Sequence, residues 1–120
     1  MLKTASFFHY SGLGRVSIAR WAPPRIVPGF ATYPKLAPGP WFKSVDRREY
    51  ERRYAAQLAR LDAEEVWQEL HNVAGGFEPV LMCWEDLTDG KSWCHRRLVA
   101  EWFWRELSAG VFELAAETFE

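Results

Sequence analysis

The order of apolar and polar positions divides the chain into short segments, most of them with a readable period. Leu2 to Phe8 is a compact apolar and aromatic run that stops at His9-Tyr10-Ser11-Gly12, the pattern of a first strand. From Arg15 to Arg20, Val16 and Ile18 alternate with Arg15 and Ser17, which suits either a short extended piece or one turn of helix. Tyr50, Tyr54, Leu58 and Leu61 then recur at helical spacing and predict a helix running from a Ser44 cap to about Arg60. Arg47 with Glu51, and Glu49 with Arg53, form charge pairs one turn apart on its other side. Asp62-Ala63-Glu64-Glu65 has the form of a capping box and opens a second helix. That helix, Ala63 to about Val73, buries Val66 and Leu70 and ends at Gly75-Gly76. Pro79 to Trp84 is a continuous apolar run, as in a strand buried on both faces. A polar turn over Glu85 to Ser92 leads to a third helix, about Trp93 to Leu107, with Ser92 as its cap. After Gly110, Val111 to Leu114 reads as a final strand.

The segment from Ala22 to Phe42 follows neither period. Six of its residues are proline, which rules out regular helix and disfavours a central strand. Yet Ile26, Phe30, Tyr33, Leu36, Trp41 and Phe42 are threaded through it, more large apolar groups than a disordered linker carries. It predicts a long ordered loop packed on the rest of the chain. Strand, helix and strand in the order seen after Pro79 make a right-handed crossover with parallel strands. The expectation is one small α/β domain over 1–120, three-layer-like, with a mostly parallel sheet flanked by helices and the proline-rich loop at about 22–42.

Composition narrows the function classes. The chain has 120 residues, 48% of them hydrophobic and 26% charged, a globular balance with room for one core. Its net charge of -1 removes the broad basic surface on which non-specific nucleic-acid binding depends, although a local basic pocket stays open. Met1-Leu2-Lys3-Thr4 has no signal-peptide layout and no run is long enough to span a membrane, so the location is expected to be cytoplasmic. In that compartment Cys83 and Cys94 are expected to be reduced thiols, since two cysteines make no disulfide framework. No cofactor is expected.

In a crossover unit the C-terminal end of the strand lies beside the N-terminus of the next helix, the edge where ligands of open α/β sheets bind. That edge carries Trp84, Glu85, Cys94, His95 and Arg96, and a parallel first strand would bring His9, Tyr10 and Ser11 to it. A helix start offers free N–H groups and partial positive charge, which stabilise a bound anion or a thiolate. On the predicted helix, Leu98, Val99, Trp102, Phe103 and Leu107 make the buried side. Arg97 stacks over Glu101 in solvent, and Trp104 falls on the outer face.

Leu81-Met82-Cys83-Trp84-Glu85 followed by Cys94-His95-Arg96-Arg97 resembles the uncharacterised DUF488 family, whose members carry an apolar strand ending in Cys-x-Glu and then a Cys-His-Arg helix start. Ile18-Ala19-Arg20-Trp21 with Pro23-Pro24, the Leu36-Ala37-Pro38 turn, the helix from Tyr50 to Leu61 and the Tyr10-Ser11 pair are similar to the family as well. The resemblance implies an α/β fold and a site containing the cysteine of the helix start; it implies no established reaction. The sequence departs from the pattern at Thr88-Asp89-Gly90-Lys91 and the bulky Trp93.

Two readings of the site stand side by side. In the first, the edge binds an anionic small molecule of the phosphate or nucleotide class, with or without cysteine-dependent catalysis. Cys94 is then the nucleophile or anchor, His95 the general acid/base, Glu85 the orienting carboxylate and Arg96 and Arg20 the anion clamps, with Tyr10 and Ser11 supplying hydrogen bonds. In the second, the motif ties helix to strand in a non-catalytic interaction domain. Trp104 and the proline-rich loop then meet a protein or nucleic-acid partner. Cys83 reads as core filler, and Arg15 and Arg25 as surface charges. The spacing of His9, Cys83, Cys94 and His95 fits no common zinc pattern, so no metal is expected. A phosphatase loop is excluded because Ala100 stands where its arginine would be. Ser11-Gly12-Leu13-Gly14 matches no phosphate loop.

Overall fold

The computed structural model describes residues 1–87 and 92–114. Five strands form one sheet: β1 (Lys3–Ser6), β2 (Arg15–Ser17), β3 (Ala31–Thr32), β4 (Val80–Cys83) and β5 (Phe112–Glu113), in the order β3-β2-β4-β1-β5. Every described pairing is parallel. Three helices accompany it: α1 (Arg47–Ala59), α2 (Ala63–Val73) and α3 (His95–Leu107). The chain is an α/β fold, and the first half of the alternating stretch, Arg15–Ser17, resolves as a strand.

Strand alternation sorts the core into two halves. Leu2, Val16, Ile18 and Leu81 meet the apolar faces of the three helices. Ala5, Phe7, Val80 and Met82 point the other way, where Ala22, Ile26 and Phe30 of the proline-rich segment cover them. The layers are therefore helices, sheet and a proline-rich strap. Within that strap the chain makes the edge strand β3 and two 3-10 turns, Pro34–Leu36 and Pro40–Lys43, each opened by a proline whose missing N–H costs nothing there.

Arg15 holds the strap down. It is 4% exposed, and its Nε, Nη1 and Nη2 donate to the carbonyls of Gly12, Val27 and Pro28 at 3.0, 2.7 and 2.7 Å. It is a buried tie, where a solvated charge was expected. Gly14 allows the preceding turn: its φ is +82°, and a Cβ there would lie 2.1 Å from the Glu78 carbonyl oxygen.

Two helix starts differ from the sequence expectation. Asp46, not Ser44, caps α1, its carboxylate accepting from the Glu49 N–H at 2.8 Å. Ser44 instead ends the preceding 3-10 turn and donates to the Trp41 carbonyl. At α3 the cap position belongs to Cys94, so the helix begins two residues later than expected and Ser92 lies outside it. Asp62 caps α2 as its pattern indicates. No helix among the described residues is long and apolar enough to cross a membrane.

Candidate functional site

Cys83 has the same strand parity as Leu81 and so faces the helices, at the C-terminal end of β4. Cys94 sits at the N-cap of α3. The crossover returns the chain to this edge, and the structure joins the two sulfurs in a disulfide. Two expectations are corrected: the cysteines are not free thiols, and Cys83 is more than core filler. In the disulfide neither sulfur is a thiolate, so Cys94 is not a nucleophile in this state.

His95 is buried beside them. Its Nε2 lies 2.8 Å from the Ile18 carbonyl oxygen, which can only accept. The ring proton is therefore on Nε2, and the Nδ1 lone pair faces Cys94 Sγ at 3.6 Å. Burial, helped by the neighbouring Arg96 charge and opposed by the Ile18 hydrogen bond, lowers the His95 pKa to about 4. The imidazole is neutral at ordinary pH and packs edge-on against Tyr54, with ring centroids 5.4 Å apart.

Above the sulfurs opens a cavity of about 580 Å³. Ala19, Arg20 and Trp21 bound it after β2, Pro38, Phe42 and Lys43 in the strap, and Tyr50 on α1. Cys83 ends β4 and Trp84 and Glu85 follow it, while Ser92, Trp93 and Cys94 lead into α3, which His95 opens. Its walls are locked by contacts of their own: Trp84 Nε1 donates to the Trp21 carbonyl at 2.9 Å, and Tyr50 meets Trp93 edge-on at 4.6 Å. Arg20 lies over the Phe42 ring at 5.9 Å, and Lys43 is 5.5 Å from the Trp21 and Phe42 rings. Burial raises the Tyr50 pKa, and the nearby Glu85 carboxylate adds to it, so the phenol is a neutral donor or acceptor.

Of the sequence candidates, Cys94, His95, Glu85 and Arg20 line this cavity. Arg96 does not. Its guanidinium is fully buried on the sheet side of α3, held by the Glu113 carboxylate at 2.8–3.3 Å and the Glu85 carbonyl at 2.8 Å. Its Nη1 is 3.2 Å from Cys83 Sγ. Tyr10 donates to the Leu13 carbonyl, Ser11 is exposed, and neither is a lining residue. His9 faces Asp86 at 3.6 Å. Arg97 is also corrected, because its Nη1 donates to Thr4 Oγ1 and the Val111 carbonyl instead of standing in solvent. Trp104 is 62% exposed, as the helix phase indicates. The Thr88-Asp89-Gly90-Lys91 loop lies outside the described residues. Lys43, Phe42, Tyr50 and Trp93 were not singled out as site residues. The one sequence signal for them was the density of aromatic residues in and after the proline-rich stretch.

No curated protein and no solved structure matches the chain. The family profile described as "Domain of unknown function DUF488" matches residues 28–103. That span holds β3, all of α1, α2 and β4, both cysteines and the Cys-His-Arg helix start, while Tyr10-Ser11 and Ile18 to Trp21 precede it. Strand end, disulfide and helix start thus lie within a match that takes in more than half of the 120 residues, and the chain belongs to the DUF488 family.

Proposed function

We propose that this protein binds a small planar anion, of the nucleotide class, in the cavity above the cysteine pair. The observation that carries the reading is the combination of aromatic walls with two lining cations, Arg20 and Lys43, both beside the Phe42 ring. Trp21, Phe42, Trp84 and Trp93 offer ring faces and edges for stacking, and Arg20 and Lys43 offer charge for a phosphate or carboxylate. The volume of about 580 Å³ falls in the range of small-molecule sites, and the chemistry fits the rule of an apolar pocket with few polar groups. Glu85 stands at the exposed rim, suited to a ribose hydroxyl or an exocyclic amine. Cys94 and His95 form the floor.

In this reading Lys43 replaces Arg96 as the partner of Arg20, because Arg96 is already engaged by Glu113 and Glu85. Binding asks for no thiolate, so it is compatible with the disulfide. A direct test is calorimetric titration with a nucleoside monophosphate, the corresponding nucleoside and inorganic phosphate, with tryptophan fluorescence followed in parallel. The monophosphate should bind, and the nucleoside and free phosphate should each bind at least tenfold more weakly. Arg20→Ala and Lys43→Ala should each lower affinity about five- to fiftyfold, the worth of one charge-assisted contact. Equal affinity for nucleoside and monophosphate would remove the anion from the proposal, and no binding of any of the three would refute it.

A further inference from the structure

Cys83, Cys94 and His95 form a buried cluster in which one ligand atom from each lies within 4.8 Å of the others. We propose that, once the disulfide is opened, these three residues hold a divalent cation of the zinc class, with its fourth coordination position facing the cavity. Four features of the cluster support this.

The first is ligand chemistry. Two thiolates and an imidazole are a set that zinc takes readily, and three protein ligands with one open position mark a site that also holds water or a ligand. The second is the tautomer. The Ile18 carbonyl holds the ring proton on Nε2 and leaves the Nδ1 lone pair towards the sulfurs. A backbone carbonyl on the far nitrogen is the usual outer support of a metal-bound histidine. The third is spacing. Nδ1 and Cys94 Sγ are 3.6 Å apart, and bonds of about 2.3 Å to sulfur and 2.0–2.1 Å to nitrogen at a tetrahedral angle place such atoms about 3.6 Å apart. The Cα atoms of Cys83 and Cys94 are 7.4 Å apart, wider than the 4.4–6.8 Å that disulfides usually span, and an ion between the sulfurs fills that width.

The fourth is charge. A divalent ion neutralises two thiolates, and Arg96, which directs Nη1 at Cys83 Sγ from 3.2 Å, is itself balanced by Glu113. The cluster is therefore close to neutral, as a buried set must be.

The disulfide and the ion are exclusive states of one pair. Opening the bond takes two electrons and two protons from an external dithiol, which becomes a disulfide and leaves two protein thiols. Binding then releases both thiol protons to solvent as two sulfur–metal bonds form. Cys83, Cys94 and His95 all line the cavity, which gives the ion a path in and a free position.

The test uses the whole chain in both redox states with Co²⁺ as probe. Protein is reduced with a dithiol, freed of it without oxygen, its two thiols are counted, and it is titrated. One equivalent of Co²⁺ should produce thiolate-to-metal charge transfer and the intense visible bands of tetrahedral cobalt, and one equivalent of Zn²⁺ should abolish both. The oxidised chain should give neither signal. His95→Ala should weaken Co²⁺ binding at least tenfold. Reduced wild-type protein with two counted thiols and no thiolate–cobalt band would overturn the proposal, with no variant required to fold. Unchanged affinity in a folded His95→Ala would overturn it as well. No nucleotide is present, so the result is independent of the binding reading above.

Discussion

Arg96 and Glu113 meet across the helix–sheet boundary, Nη2 to Oε2 at 2.8 Å, with the Arg96 side chain wholly out of water and a quarter of the Glu113 side chain still exposed. The pair does not stand alone. Thr4 Oγ1 donates to the same carboxylate at 2.7 Å, and Arg97 donates to Thr4 Oγ1 at 3.0 Å. α3, β1 and β5 are thereby joined through one carboxylate. Removing it would leave a buried cation without its counter-ion, the costly way to break such a pair. Glu113→Ala should lower unfolding free energy by about 3 kcal/mol, the lower end for a broken buried pair because the carboxylate is partly solvated. Urea denaturation measures this. The paired change Arg96→Met with Glu113→Leu should recover much of the loss, because no lone charge remains.

The same carboxylate gives a pH dependence with a definite sign. Burial raises its pKa, but the hydrogen bonds from Arg96 and Thr4 and the charges of Arg96 and Arg97 outweigh burial and leave it below the ordinary value. A carboxyl depressed in the folded state binds its proton more readily when unfolded. Its stabilisation is thus complete above the unfolded value of about 4.3 and declines as pH falls below that towards its folded pKa. Stability measured from pH 7 down to pH 3 should fall less steeply in Glu113→Gln than in the wild type. Parallel acid limbs would show that Glu113 is not a source of the dependence.

The sequence spoke most clearly where the signal is local. The apolar run from Pro79 to Trp84 predicted β4 to within one residue at each end, and the box opening at Asp62 predicted α2, because each depends on neighbours within a few positions. What it could not show were partnerships between distant segments. Arg96 looked like a free anion clamp because Glu113, 17 positions later, is paired with it only after β5 joins the sheet. Arg15 looked solvated because its acceptors are backbone carbonyls, one in the preceding turn and two in the strap, which no residue type announces. The cavity was half legible. The strand end and helix start pointed to Glu85, Cys94 and His95, but the wall from Phe42 and Lys43 depends on the strap folding back over that edge, and that from Tyr50 on α1 packing beside it.

Arg15 predicts how the strap fails. Replacing it with Met removes a charged donor from three carbonyls, and each such hydrogen bond is worth about 1.5–3 kcal/mol before relaxation and water take up part of the loss. Arg15→Met should destabilise the fold by about 2–3 kcal/mol. It should also loosen the strap locally. Arg25 is exposed within it and precedes Ile26, so trypsin has a bond to cut there. Cleavage after Arg25 should be several times faster in the variant than in the wild type under native conditions. Unchanged cleavage would mean that the apolar contacts of Ile26 and Phe30 hold the strap without Arg15.

The caps separate two accounts of where α1 begins. If Ser44 were the cap, as the sequence suggests, its removal would free a helix N–H and weaken the helix. In the structure the Glu49 N–H is satisfied by Asp46 at 2.8 Å, and the Glu65 N–H of α2 by Asp62 at 3.1 Å. Ser44 contributes one hydrogen bond to an exposed turn. Asp46→Ala and Asp62→Ala should each cost about 1 kcal/mol, while Ser44→Ala should stay within about 0.5 kcal/mol of the wild type. Thermal unfolding of the three variants side by side decides the matter, because the two aspartates sit at equivalent positions and control for each other. Glu49 is not a substitute cap. Arg52 and Arg53 engage its carboxylate and hold its pKa down to about 2, so it points along the helix and away from the Asp46 backbone. With the Glu49 carboxylate committed to Arg52 and Arg53, the loss at Asp46 should appear in full.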